Sequence, residues 1–284
     1  MRGAGIVAGV ALRESVRRRV FVVVALLTVA FLGLYGLGVW RVSREVTEFG
    51  DFQSGVDGDV VAGATLLGLS MFATLFLGAI LAVFLTLNAV RGDAERGLLQ
   101  PLIVRPLGRG TFLLGRFAAT AGVCVTYTVF VFLASVVITN LFIDWWPDRL
   151  FVPAFQMAVA VAVLAALALG GSVLLSSTAN GIAIFMLFGA GLTAGLLGQI
   201  GEALSSETLQ DVSQVTSWIL PFEAHYQNAL SQITADTFGF SRFAIDLGPF
   251  GGAQEFGWFL WPFTALYLGA IAFGALAAFR RRDL

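Results

Sequence analysis

Six long apolar runs, separated by charged or polar interruptions, dominate the hydropathy pattern of this 284-residue chain. A hydrocarbon core about 30 Å thick takes roughly 20 apolar residues per helix, and the runs predict spans at about 20–40, 60–90, 112–142, 152–175, 181–199 and 257–279. The first is too long for a signal-peptide core and ends at Trp40 without a small-residue cleavage site, so it is expected to be retained. At 1.5 Å per residue the second would reach about 46 Å and must tilt or protrude. Ahead of the first span, Ile6, Val7, Val10 and Val16 recur at near-helical spacing before Arg17, Arg18 and Arg19, which predicts an amphipathic helix in the membrane surface. Trp145 and Trp146, in the turn DWWPDR, fit an interfacial aromatic belt. A tight link, SSTANG, is expected between spans four and five.

Residues 200–256 form the largest stretch outside the spans. Within it Leu204, Thr208, Val212, Val215 and Ile219 make one helical stripe, and Phe222, Tyr226, Leu230 and Ile233 make a second after Pro221. The expectation is two short amphipathic helices on, or dipping into, the outer face. The whole chain, 1–284, then reads as a single all-α integral membrane domain.

Composition agrees, with 58% hydrophobic and 12% charged residues and a mean hydropathy of +0.87. All seventeen basic residues are arginine, and thirteen fall on one side of the predicted spans against four on the other. That asymmetry puts both termini in the cytoplasm of a multi-pass protein.

The chemistry of ion coupling is missing from the runs, since none of the six carries an ionisable side chain in its interior. Thr28, Ser70, Ser135, Gln156, Asn180 and Thr264 are among their polar residues, suited to bonding backbone or neighbouring helices. No catalytic group and no metal site are expected, because the one histidine, His225, and the one cysteine, Cys124, form no ligand cluster. Both read as packing residues. With no lysine, the chain lacks the Gly-rich phosphate loop that ends in Lys-Ser/Thr. Gly191 and Gly195, with Gly198 a turn on, make a small-residue face that serves either helix packing within the bundle or a dimer seam.

Between spans two and three the chain reads RGDAERGLLQPLIVRPLGRGTFLLGR, with Arg91, Arg96, Arg105, Arg109 and Arg116 around Leu98, Leu99, Leu102 and Ile103. On a helix those four apolar residues share one face. Such a face either docks into a groove on a partner outside the lipid or folds back on the protein's own helices.

The motifs Asp93-Ala94-Glu95-Arg96-Gly97-Leu98-Leu99-Gln100, Arg105-Pro106-Leu107-Gly108-Arg109 and Leu113-Leu114-Gly115-Arg116 resemble those of permease subunits of type-2 ABC exporters. Leu12 to Arg19, Pro221-Phe222 and the terminal Phe279 to Leu284 extend the resemblance. Two positions depart from it: Leu98 stands where the family has Thr, and Pro101 interrupts the helix-forming run. The resemblance implies six spans, an N-terminal elbow helix and a location in the prokaryotic cytoplasmic membrane. It also implies two copies of a separate ABC ATP-binding subunit, which would carry ATP and Mg, and a second permease copy or paralogue. This chain itself would bind no cofactor and no nucleic acid and would not be an enzyme. Glu95, Gly97, Leu98, Leu99, Leu102, Ile103, Arg105 and Arg109 would form the coupling helix that docks the ATPase. Export is the implied activity; the alternative is an assembly passing ATP-driven motion to an extracytoplasmic partner.

Overall fold

The computed structural model describes residues 19–49, 57–87, 108–237 and 253–280, with Gly9 alone before them. Among these residues every regular element is a helix. They are α1 (Arg19–Phe49), α2 (Gly58–Thr86), α3 (Arg109–Ile143), α4 (Phe151–Leu174), α5 (Ser177–Ala203), α6 (Glu207–Ile219), α7 (Pro221–Ile233) and α8 (Leu260–Arg280). Six of the eight, all but α6 and α7, are long and apolar enough to cross a membrane. The elbow segment ahead of residue 19, the loop 88–107 and residues 281–284 lie outside the described residues.

Helix ends follow local chemistry. Asp57 caps α2, its carboxylate accepting from the amides of Asp59 and Val60 at 3.1 and 3.3 Å. The helix ends at Thr86, short of the expected 90, where Leu87 turns extended. The link between α4 and α5 is also shorter than expected. Only Leu175 and Ser176 separate the two helices, and Asn180 already belongs to α5. Its side-chain amide donates to the Ala168 carbonyl at 2.8 Å, tying α5 back to α4.

α4 sits at the centre, packed by α2, α3, α5, α7 and α8. Its buried face is built from small and medium residues, Ala158, Ala160, Val161, Leu164, Ala165 and Ala168, which let neighbouring backbones approach closely. α1 and α8 lie at the periphery, with few of their side chains buried. Hydroxyl bonds fasten α1 and α2 to α3. Tyr127 donates to Thr28 at 2.7 Å, Tyr35 to Thr139 at 2.5 Å and Ser70 to Ser135 at 2.5 Å; each acceptor hydroxyl spends its own proton on a carbonyl of its own helix. In hydrocarbon, a hydroxyl without such a partner costs several kcal/mol.

The turn before α4 corrects the aromatic-belt reading for one of its two tryptophans. Trp145 is buried with its ring against Gly63, where a Cβ would come within 2.5 Å, while Trp146 is exposed. The same turn secures α7. Asp148 accepts from the Asp236 amide at 2.9 Å, its own amide donates to the Ile233 carbonyl at 3.1 Å, and Arg149 donates to Gln232 at 2.5 Å.

Candidate functional site

The segment between α5 and α8 departs furthest from a pair of surface helices. α6 carries the expected stripe, but Val212, Val215 and Ile219 point away from the protein, as does Leu204 ahead of the helix. Its small polar residues Ser213 and Ser217 are the ones that face inward. α7 is enclosed all round, every residue from Pro221 to Ser231 being buried. It is inserted against α4 and touches α2, α5, α6 and α8. Phe222, Tyr226, Leu230 and Ile233 join the main core, and Phe222 stacks on Phe188 of α5 at 5.9 Å.

Burial of the whole helix carries its polar face inside as well. His225 is fully buried, its Nε2 2.9 Å from the Thr264 hydroxyl of α8 and its Nδ1 in contact with the Gln156 carboxamide of α4. Burial pulls the imidazole down to about 4, so the ring is neutral at physiological pH. Gln156 presents its carbonyl oxygen Oε1 to Nδ1, so Nδ1–H is the donor there. Nε2 is then the acceptor, and the Thr264 hydroxyl supplies its hydrogen bond. One histidine thereby joins α4, α7 and α8.

Two residues earlier, Glu223 is also fully buried. One oxygen accepts from Gln227 Nε2 at 2.8 Å, while Oε2 has no hydrogen-bond partner among the described residues. The Gln227 carbonyl and the hydroxyls of Tyr226, Ser213 and Ser217 are likewise unpartnered there. Burial pushes the Glu223 carboxyl up to about 7, against a smaller opposing pull from Gln227. Burial also holds the Tyr226 phenol well above its ordinary value, and the charge of Glu223 adds to that.

The glycines of span five explain how this group fits. A Cβ on Gly191 would lie 2.6 Å from the Phe222 ring, one on Gly195 2.5 Å from Glu223 Oε1, and one on Gly198 2.5 Å from Ser213 Oγ. The small face thus receives α6 and α7 of its own chain. Of the loop residues singled out for docking, Glu95, Gly97, Leu98, Leu99, Leu102, Ile103 and Arg105 lie outside the described residues, and Arg109 is described only as the first residue of α3. Near that end, a cavity of about 260 Å³ between α3, α4 and α8 is lined by apolar residues such as Leu113, Phe117, Leu169, Ile271 and Leu276. It offers no polar group for recognition.

A six-span bundle with a buried helical insert before the last span is a layout to compare with known proteins, and residues 6–284 match the family model described as ABC-2 family transporter protein. The chain belongs to that family. It is similar over a short stretch to NosY, a probable ABC transporter permease protein of Pseudomonas aeruginosa, with 41% identity over 69 residues. That match spans about a quarter of either chain, 24% of this one and 25% of the relative. ABC-2 membership makes this chain a multi-pass membrane component of a transporter family.

Proposed function

We propose that this ABC-2 chain is the permease subunit of an exporter in the prokaryotic cytoplasmic membrane, driven by ATP hydrolysed on two copies of a separate ABC subunit. The observation that carries the reading is the family match across residues 6–284, together with six spans in which no acid or arginine lies mid-span. Without such a group in the spans, work on a substrate draws its energy from a partner. The arginine excess around the 91–110 loop supports a cytoplasmic position for it, and its Leu98, Leu99, Leu102 and Ile103 face is the surface on which the ATPase would dock. A second permease copy completes the translocating unit. ATP binding would close the two ATPase subunits and rock the permease halves apart at the opposite end.

A second reading has an observation of its own in the outward apolar face of α6, at the end of the bundle opposite that loop. There the same motion would pass to an extracytoplasmic partner. Co-expression of the chain with its genomic neighbours, followed by purification in mild detergent, tests the docking. The expected result is an ATP-binding subunit recovered in about equal amount with vanadate-sensitive hydrolysis, lost on Leu98→Asp/Leu99→Asp with Glu95→Arg. Unchanged recovery from that variant would overturn the docking assignment. In vesicles, stimulation of hydrolysis by small amphiphiles supports export, and stimulation only by an extracytoplasmic protein supports the second reading.

A further inference from the structure

We propose that Glu223 is a reversible proton-binding site and that its proton keeps the seam between α5 and α7 closed. The carboxyl is fully buried among five helices. On its own helix it has Gln227 one turn on, which bonds Oε1 at 2.8 Å, and the Tyr226 hydroxyl, which has no partner among the described residues. His225 on that helix is neutral and committed to Gln156 and Thr264. α5 presents Gly191 and Gly195, whose missing side chains leave its backbone against Phe222 and Glu223. α6 turns Ser213 and Ser217 inward and holds Glu207 and Asp211 at the surface. α2 and α4 offer apolar residues and Gln156, α8 offers Thr264, and the acids Asp57 and Asp59 of the α2 N-terminus are exposed. Among the described residues no cation enters this environment: burial and the Gln227 amide are what shift the carboxyl.

A fully buried carboxylate without a counter-charge carries a heavy desolvation penalty, and the group escapes it either by taking a proton or by admitting water. The proton binds at Oε2, the oxygen Gln227 leaves open, and the neutral acid becomes a donor among oxygen acceptors. Loss of that proton puts a negative charge against the α5 backbone in a contact too tight for even a methyl group at Gly195. Hydration of the charge then requires α5 and α7 to separate. Because α7 is pinned to α4 and α8 through His225, and to the turn before α4 through Asp148, the opening falls on the glycine face of α5, whose tie to α4 through Asn180 lies at its other end. The ligand is a proton, and its binding needs neither the ATP-binding partner nor the direction of transport proposed above.

The test uses the full-length chain in lipid nanodiscs, followed by infrared difference spectroscopy as the pH is raised from about 6 to about 9. The expected result is a protonated-carboxyl band that titrates away near neutral pH and is absent from Glu223→Gln. A wild-type chain showing no such band at pH 6, or a band that survives unchanged in Glu223→Gln, would overturn the site. The closure is read separately with Ser213→Cys in a Cys124→Ala background, labelled by a small neutral thiol reagent. Thiolate formation accelerates labelling in both backgrounds, and a nearby carboxylate could only slow it by raising the thiol pKa, so it cannot mimic a rising ratio. The readout is therefore the labelling rate with Glu223 intact divided by the rate when Glu223→Gln is added. A ratio near one at pH 6 that rises at least fivefold by pH 9 supports the latch; a ratio unchanged across that range overturns it. If Glu223→Gln fails to fold, Glu223→Asp takes its place: a band shifted in frequency and midpoint supports the site, and a band unmoved overturns it.

Discussion

Glu223 and His225 are separated by one residue, yet burial moves them in opposite senses, which fixes how stability responds to pH. For Glu223 the folded value, about 7, lies above the ordinary 4.5, so the folded state holds the proton more tightly. Its contribution is complete below pH 4.5 and is lost as pH rises through 7. For His225 the folded value, about 4, lies below the ordinary 6.5, so the unfolded chain takes the proton first. Its penalty is absent above pH 6.5 and grows as pH falls toward 4. Between 4.5 and 6.5 the two slopes oppose each other. Thermal unfolding in detergent should therefore change little over that window in the wild type. Glu223→Gln should lose stability on acidification, and His225→Gln should gain it, each by a few kcal/mol at the extremes. Parallel pH profiles for all three proteins would contradict these assignments. Gly195 makes a different prediction, because its Cβ would lie 2.5 Å from Glu223 Oε1. Gly195→Leu should cost about 1–3 kcal/mol or more through overpacking, read as a lowered melting temperature.

α6 and α7 are equal in length and adjacent in sequence, but they occupy opposite environments. The amphipathic stripe was legible in both, since periodicity reports that one face differs from the other. It does not report which face turns inward when the surroundings are lipid, because in a bilayer the apolar face has no reason to seek the core. In α6 the apolar side points out and the serines pack inward; in α7 both sides are buried. Single cysteines at Val212, Val215 and Ile219, in a Cys124→Ala background, should react with a lipid-soluble maleimide and resist a charged one in vesicles. Ready labelling by the charged reagent would place α6 in water. For α7, Leu230→Ala should cost about 2–5 kcal/mol, as expected for a large-to-small change in a packed core.

Six crossings, an even number, bring residue 19 and residue 280 to the same side of a membrane. Reporter fusions at the two termini should accordingly both be active in the cytoplasm, on the side chosen by thirteen arginines against four. Opposite reports from the two ends would remove a span. The number, order and approximate limits of the spans were determined by the sequence alone, because a hydrocarbon slab imposes one length on every crossing and charge marks every break. The absence of acids and arginines from the middle of those six runs was equally legible. What only the tertiary structure decided is that an acid and a histidine from the segment between spans five and six lie inside the protein. No local pattern in PFEAHYQNALSQI distinguishes a helix wet on one side from one enclosed on all sides. The difference comes from its neighbours: the glycine face of α5 makes room for Glu223, and Gln156 and Thr264 on separate helices complete His225. Burial is a property of that meeting, and burial is what turns an ordinary carboxyl into a group that holds a proton near neutrality.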